Sequence, residues 1–263
     1  MTTWDATDLN YRLEGPEDAP VLVLSNSLGT ALGMWDDQVP ALRERFRILR
    51  YDTRGHGASP APPGPYTMYD LGRDVLSLLD ALGIGRASFC GLSVGGMTGM
   101  WLASEAPERV DRLVLLCTSA LLGPKELWDE RISVAKSQGM DALVDGVIER
   151  WFTPDFFSSH PETIRKAAGW LRETDPEGYA GCCAAIRDMD LRDRLPSVQA
   201  PTLVVSAADD PATPLEHGRL IADTVPGASF EVVPDASHLA NMERPEEITR
   251  LILDYLEPVA GAR

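Results

Sequence analysis

Short β-rich runs alternate with amphipathic helical stretches along most of this chain, and the central runs are apolar on both faces. The runs are "LNYRLEG", "PVLVLSNS", "FRILRYD", "RASFCG", "RLVLLCTS", "PTLVVSA" and "SFEVVPD". A strand that is apolar on both faces has to be covered on both, which a parallel sheet wrapped by helices achieves. The alternation therefore predicts an α/β fold, a mostly parallel central sheet flanked by helices. "LNYRLEG" is expected to be an early antiparallel strand ending at Gly15. Leu71, Val75, Leu78, Leu79 and Leu82 share one helical face, and Gly83 marks its stop. Ile248, Leu251, Ile252, Tyr255 and Leu256 repeat the pattern behind Pro245, a residue suited to a first helical turn.

The alternation breaks between Gly123 and Pro196. "KELWDERISVAKSQG", "MDALVDGVIERWF", "PETIRKAAGWLRETD" and "PEGYAGCCAAIRDMD" all read as helices, and strand pattern returns only at "PTLVVSA". The simplest organisation is a core over 1–122, an inserted helical cap over 123–196, and the core resumed over 197–263. A separately folding second domain is the weaker reading, because the sheet needs the strands on both sides of the break.

With 263 residues, 44% hydrophobic and 24% charged, the chain can bury a sizeable core. Its formal charge of −16 argues against nucleic acid and anionic membrane surfaces as partners. "VLVL" and "LVLLC" are too short to span a bilayer. The opening "MTTWDATDLN" has no basic region followed by an apolar run, so no export signal is expected. Four cysteines, Cys182 and Cys183 adjacent, show neither metal-ligand nor redox spacing. Reduced thiols in a cytoplasmic protein are the expectation. The same charge would repel an anionic ligand at long range, so such a ligand would need a positive group inside its pocket.

Gly91-Leu92-Ser93-Val94-Gly95 fits G-x-S-x-G, with the strand "RASFC" before it and the helical "GGMTGMWLASEAPE" after it. A sharp strand-to-helix turn exposes the serine oxygen, and only small neighbours leave room for that turn. A serine hydroxyl is a weak nucleophile and needs a base. Of the four histidines, His238 lies between the last predicted strand and the final helix, at the sheet end where functional groups gather. His56 in "DTRGHGAS" is expected to shape a turn, and His160 and His217 to be exposed. The acid that orients the base is expected in "SAADDPATP", as Asp209 or Asp210. Asp210 is preferred, because Pro211 restrains it toward an extended backbone. The chain order Ser93, Asp210, His238 is one of the known triad orders. Two N–H donors for an oxyanion are expected from the backbone of Leu28, in "SNSLGT", and of Val94.

Taken together, "DTRGHGAS" (Asp52–Ser59), "GLSVGG", "DDPATP" and "ASHLANMERPEE" resemble the α/β-hydrolases over nearly the whole length. Many of those carry His-Gly where Asn26-Ser27 stand here. "LSNSLGT", "DPATP", "RWFTP" (Arg150–Pro154) and "YAGCCAAIRDMDLR" (Tyr179–Arg192) further resemble the 3-oxoadipate enol-lactonases of aromatic catabolism. That resemblance implies an α/β-hydrolase fold and opening of 3-oxoadipate enol-lactone to 3-oxoadipate, a step of the β-ketoadipate pathway, with no cofactor and no metal. Ser93 would be nucleophile, His238 base and then acid, Asp210 the orienting carboxylate, and Leu28 and Val94 the backbone donors.

The implied partner is a small anionic lactone, whose acetate arm needs a counter-charge. Trp128 and Arg131 stand three apart, on one helical face, so Trp128 could wall the pocket while Arg131 pairs with the carboxylate. Arg187 is a second candidate, and Ser27 a candidate hydrogen-bonding group. Rival readings are a general carboxylesterase, a cofactor-free perhydrolase or haloperoxidase-like enzyme, and a non-catalytic ligand-binding scaffold.

Overall fold

A computed structural model describes residues 8–256. Its strands are β1 (Tyr11–Glu14), β2 (Val21–Ser25), β3 (Arg47–Tyr51), β4 (Ala87–Leu92), β5 (Val110–Leu116), β6 (Thr202–Ala207) and β7 (Ser229–Val233). They form one seven-stranded sheet in the order β1-β3-β2-β4-β5-β6-β7. The β1–β3 pair is antiparallel and every other pair is parallel. β4 and β6 are buried along their whole length, as their two-faced apolar runs require. β7 is the far edge of the sheet and is correspondingly half open to solvent.

The helices of the core are α1 (Val39–Leu42), α2 (Met68–Ala81) and α3 (Val94–Glu105) before the insertion. In α2 the face of Leu71, Val75, Leu78 and Leu79 is buried. Thr67 and Asp70 close a reciprocal capping box at its start, and Gly83 ends it at φ 67°. Between β5 and β6 run five helices: α4 (Lys125–Gln138), α5 (Asp141–Trp151), α6 (Pro154–Ser159), α7 (Pro161–Glu173) and α8 (Pro176–Asp188). α9 (Leu215–Thr224), α10 (Ala240–Glu243) and α11 (Pro245–Leu256) complete the chain as described.

Two seams tie the insertion to the sheet layer. At the first, the backbones of Gly55 and Gly178 touch so closely that a Cβ on either would collide with the other. Asp175 N–H donates to the Gly55 carbonyl there (3.0 Å), and Tyr66 N–H to that of Gly181 (3.3 Å). At the second, Leu239 N–H donates to the Trp151 carbonyl (3.0 Å), at the end of α5. Glu243 is buried between the layers and accepts from Thr153 N–H and Oγ1 (both 2.8 Å) and from Ser237 N–H.

All four cysteines are free and buried. Cys90 lies on β4, Cys117 follows β5, and Cys182 and Cys183 lie on α8. Burial pushes each thiol up, that of Cys183 to about 12. No helix among the described residues is long and apolar enough to cross a membrane.

Candidate active site

Ser93 stands between the end of β4 and the start of α3 with φ 56° and ψ −118°, a conformation that non-glycine residues rarely adopt. Its neighbours explain why it holds. A Cβ on Gly91 would strike the Gly95 backbone, and one on Gly95 would strike the Ser25 carbonyl. The small residues of the motif therefore serve close backbone approach. That approach is locked by Gly95 N–H donating to the Asn26 carbonyl (3.0 Å) and Ser93 N–H to that of Leu116 (3.0 Å).

The β2–α3 contact also explains Asn26. Its side chain donates to the Tyr51 carbonyl (2.9 Å) and accepts from Trp35 Nε1 (3.0 Å). A buried amide bonded through both its nitrogen and its oxygen thus fixes the loop that carries Ser27 and Leu28. Among the described residues, the N–H groups of Leu28 and Val94 donate to no protein acceptor. Val94 N–H is one of the orphan donors at the start of α3, available to an oxyanion.

His238 and Asp210 come together from the loops after β7 and β6. His238 Nδ1 and Asp210 Oδ2 lie 2.9 Å apart. Asp210 also accepts from Ala212 N–H (2.7 Å), Thr213 N–H (3.1 Å) and Thr213 Oγ1 (2.6 Å). Burial alone would raise its carboxyl, but the charge of His238 and the hydrogen bonds from His238 and Thr213 hold it below the usual value. The adjacent Asp209 is exposed. Residues on both sides of His238 are pinned to the insertion, Leu239 as described and Ser237 through Oγ to the Arg150 carbonyl (3.1 Å).

Ser93, His238, Ser27 and Leu28 line a cavity of about 290 Å³ between the sheet ends and the insertion. Trp128 and Arg131 of α4 line it too, with Arg150 of α5 and Tyr179 of α8. Trp128 is buried and donates Nε1–H to the Leu122 carbonyl (2.9 Å), while the Arg131 guanidinium lies 4.9 Å from the Trp128 ring centroid. Neither Arg131 nor Arg150 pairs with a carboxylate among the described residues. Burial first, and then the like charge of Arg131, lower the proton affinity of Arg150. The buried Tyr179 hydroxyl sits in the same wall, acted on by the Arg131 guanidinium and the Cys183 thiol.

Several sequence expectations are corrected here. Arg187 pairs with Asp129 (2.7 Å) and Asp188 (2.6 Å) and does not line the cavity. His217, expected on the surface, lines the cavity, with its Nδ1 2.7 Å from Ser119 Oγ. Arg150 was legible only as part of "RWFTP", and nothing local marks it as facing inward. His56 shapes the Asp52–Ser59 turn as expected, taking its N–H to the Thr53 carbonyl and its Nδ1 to that of Arg54.

The sheet order, the strained serine after its central strand and the two partner loops define an α/β-hydrolase. The sequence matches the profile of the alpha/beta hydrolase fold over residues 20–245, and the chain belongs to that family. Among its relatives is 3-oxoadipate enol-lactonase 2 of Acinetobacter baylyi, 40% identical over 93% of this chain and 91% of that protein. The crystal structure of the enol-lactonase from Burkholderia xenovorans is similar at 46% identity and a TM-score of 0.93, covering 94% of this chain and 96% of that one. A thermophilic esterase from Thermogutta terrifontis shares 31% identity with a TM-score of 0.89, over 94% and 92% of the two chains.

Proposed function

We propose that this chain is a serine hydrolase that opens 3-oxoadipate enol-lactone to 3-oxoadipate through an acyl-enzyme, without a cofactor, in aromatic catabolism. The observation that carries this reading is the content of one cavity: Ser93 and His238, the latter held from behind by Asp210, together with two arginines that have no carboxylate partner among the described residues. In a chain of charge −16, those arginines supply the local positive field that an anionic substrate needs. The volume lies at the small end of the roughly 300–1,000 Å³ of small-molecule sites, which suits a five-membered lactone with an acetate arm. The enol-lactonase relatives support the same substrate class.

In this mechanism Ser93 Oγ attacks the ring carbonyl as His238 takes its proton, and Asp210 keeps the imidazole oriented. The N–H groups of Leu28 and Val94 receive the oxyanion. Collapse breaks the ring C–O bond, and an enolate leaves readily, so little help from an acid is required. The enol stays tethered to the acyl-enzyme until it relaxes to the ketone, a poorer nucleophile for ring closure. Water activated by His238 then releases the dicarboxylate. Trp128 walls the site, Arg131 and Arg150 hold the acetate carboxylate, Ser27 offers a hydrogen bond, and the insertion over 123–196 serves as the cap.

Loss of the lactone's ultraviolet absorbance on adding purified protein tests the reading, with Ser93→Ala as the inactive control. Arg131→Ala and Arg150→Ala should each cost about 1.5–3 kcal/mol of substrate binding, which raises KM about tenfold or more. Unchanged KM in both variants would remove the arginines from the site. The 31%-identical esterase supports a second reading, a carboxylesterase. Short aryl esters turned over much faster than the lactone would favour that one.

A further inference from the structure

His217 is a second imidazole in the cavity that holds Ser93 and His238, and its proton can be located. It is the third residue of α9, and Ser119 Oγ lies 2.7 Å from its Nδ1. The same Oγ lies 2.6 Å from the Leu121 carbonyl oxygen, which can only accept, so the single hydroxyl proton points there. Leu121 N–H donates back to Oγ (3.2 Å). Were the proton turned to His217 instead, two oxygen lone pairs would face each other at 2.6 Å. His217 Nδ1 must therefore be the donor, and the neutral ring carries its lone pair on Nε2. That nitrogen has no hydrogen-bond partner among the described residues, on a ring that lines the cavity. Ser119 is buried and accepts from Nδ1–H whether Nε2 is bare or protonated, so the ring can take up and return a proton without losing its anchor.

From this geometry we infer that His217 is a second acid–base group, serving the leaving group while His238 serves the nucleophile and the water. The inference rests on the enol-lactone reading above. Once Ser93 has opened the ring, the tethered enol presents an O–H to an acceptor. Nε2 takes that proton as the C–O bond becomes a carbonyl, and the carbon–carbon double bond's electron pair takes a proton at the adjacent vinyl carbon. The proton comes back from the imidazolium just formed. The shuttle moves one proton from oxygen to carbon, consumes nothing, returns His217 to its neutral form and removes the nucleophile that could close the ring again. Ser119 acts only as a positioning residue.

The test compares the enol-lactone with an aryl acetate, whose leaving group has no enol to convert. His217→Asn keeps a donor near the Nδ1 position for Ser119 and deletes Nε2. His217→Gln puts an amide near Nε2 that cannot shuttle a proton. Both variants are checked for folding by circular dichroism. The expected result is that each lowers lactone turnover about tenfold or more relative to aryl acetate turnover. Stopped-flow absorbance should also show an enol transient before ketone product, which wild-type protein lacks. An unchanged ratio of the two turnovers, with no transient, in a folded variant overturns the inference while leaving the enol-lactone reading intact. Wild-type protein that turns over the acetate and not the lactone overturns both.

Discussion

Asp209 and Asp210 differ by one position and by almost everything that matters for chemistry. Asp210 is buried, takes four hydrogen bonds including that of His238, and stays ionised below the usual carboxylate range. Asp209 is exposed, and among the described residues its side chain has no hydrogen-bond partner, while its backbone N–H donates to the Ala236 carbonyl (3.0 Å). Asp210→Asn should therefore cut kcat about 10⁴-fold by orienting the wrong imidazole tautomer, while Asp209→Asn stays within about threefold. Steady-state kinetics on one substrate at pH 7 separates them, and the reverse ranking would move the acid to Asp209. This distinction could be read in the sequence because Pro211 biases the backbone of the residue before it. Arg150 and His217 could not be read that way. An arginine at the end of a helix and a histidine in the first turn of another are ordinary surface residues until packing decides which way they face.

At the scale of elements, the turn from β4 into α3 holds Ser93 at φ 56°, one of three non-glycine residues with positive φ among the described residues. Gly95 sits against the Ser25 carbonyl and donates to that of Asn26, so the elbow and the Leu28 loop are one unit. Gly95→Ala should destabilise the fold by roughly 1–3 kcal/mol, as overpacking does. It should also lower kcat, because relief of the clash displaces the Leu28 donor. Urea denaturation and kinetics on the same preparation check the pair, and a variant as stable and as active as wild type would mean the contact is loose. All seven strands were legible: the central ones are apolar runs bounded by turn residues, and the edge strands β1 and β7, mixed and half exposed, are short runs closed by the turns beside them. The helix α6, "PDFFSS", was not, because six residues with no buried member carry no periodic signal. Nor were the seams legible, since they join backbone atoms far apart in sequence.

For the molecule as a whole, the Gly55–Gly178 seam sits beside a buried histidine whose charge the fold resists. Burial lowers the proton affinity of His56 despite the opposing pull of the Arg54 carbonyl, Asp52 and Asp175, and its Nε2 has no hydrogen-bond partner among the described residues. The unfolded chain protonates this ring near pH 6.5 and the folded one only below that. The stabilisation is therefore complete above that value and is lost as pH falls through it toward the folded value. His56→Asn, which can still donate to the Arg54 carbonyl, should flatten the dependence of stability on pH between about pH 7 and about pH 5. Urea midpoints at the two ends measure it, and an unchanged slope would assign the pH dependence to other groups. The four concealed sulfurs have a further consequence. An alkylating reagent can reach Cys90 and Cys117 only when the sheet opens, and Cys182 and Cys183 only when α8 loosens. The time course of labelling at each pair would thus act as two separate clocks, one for the sheet and one for the helices laid over it.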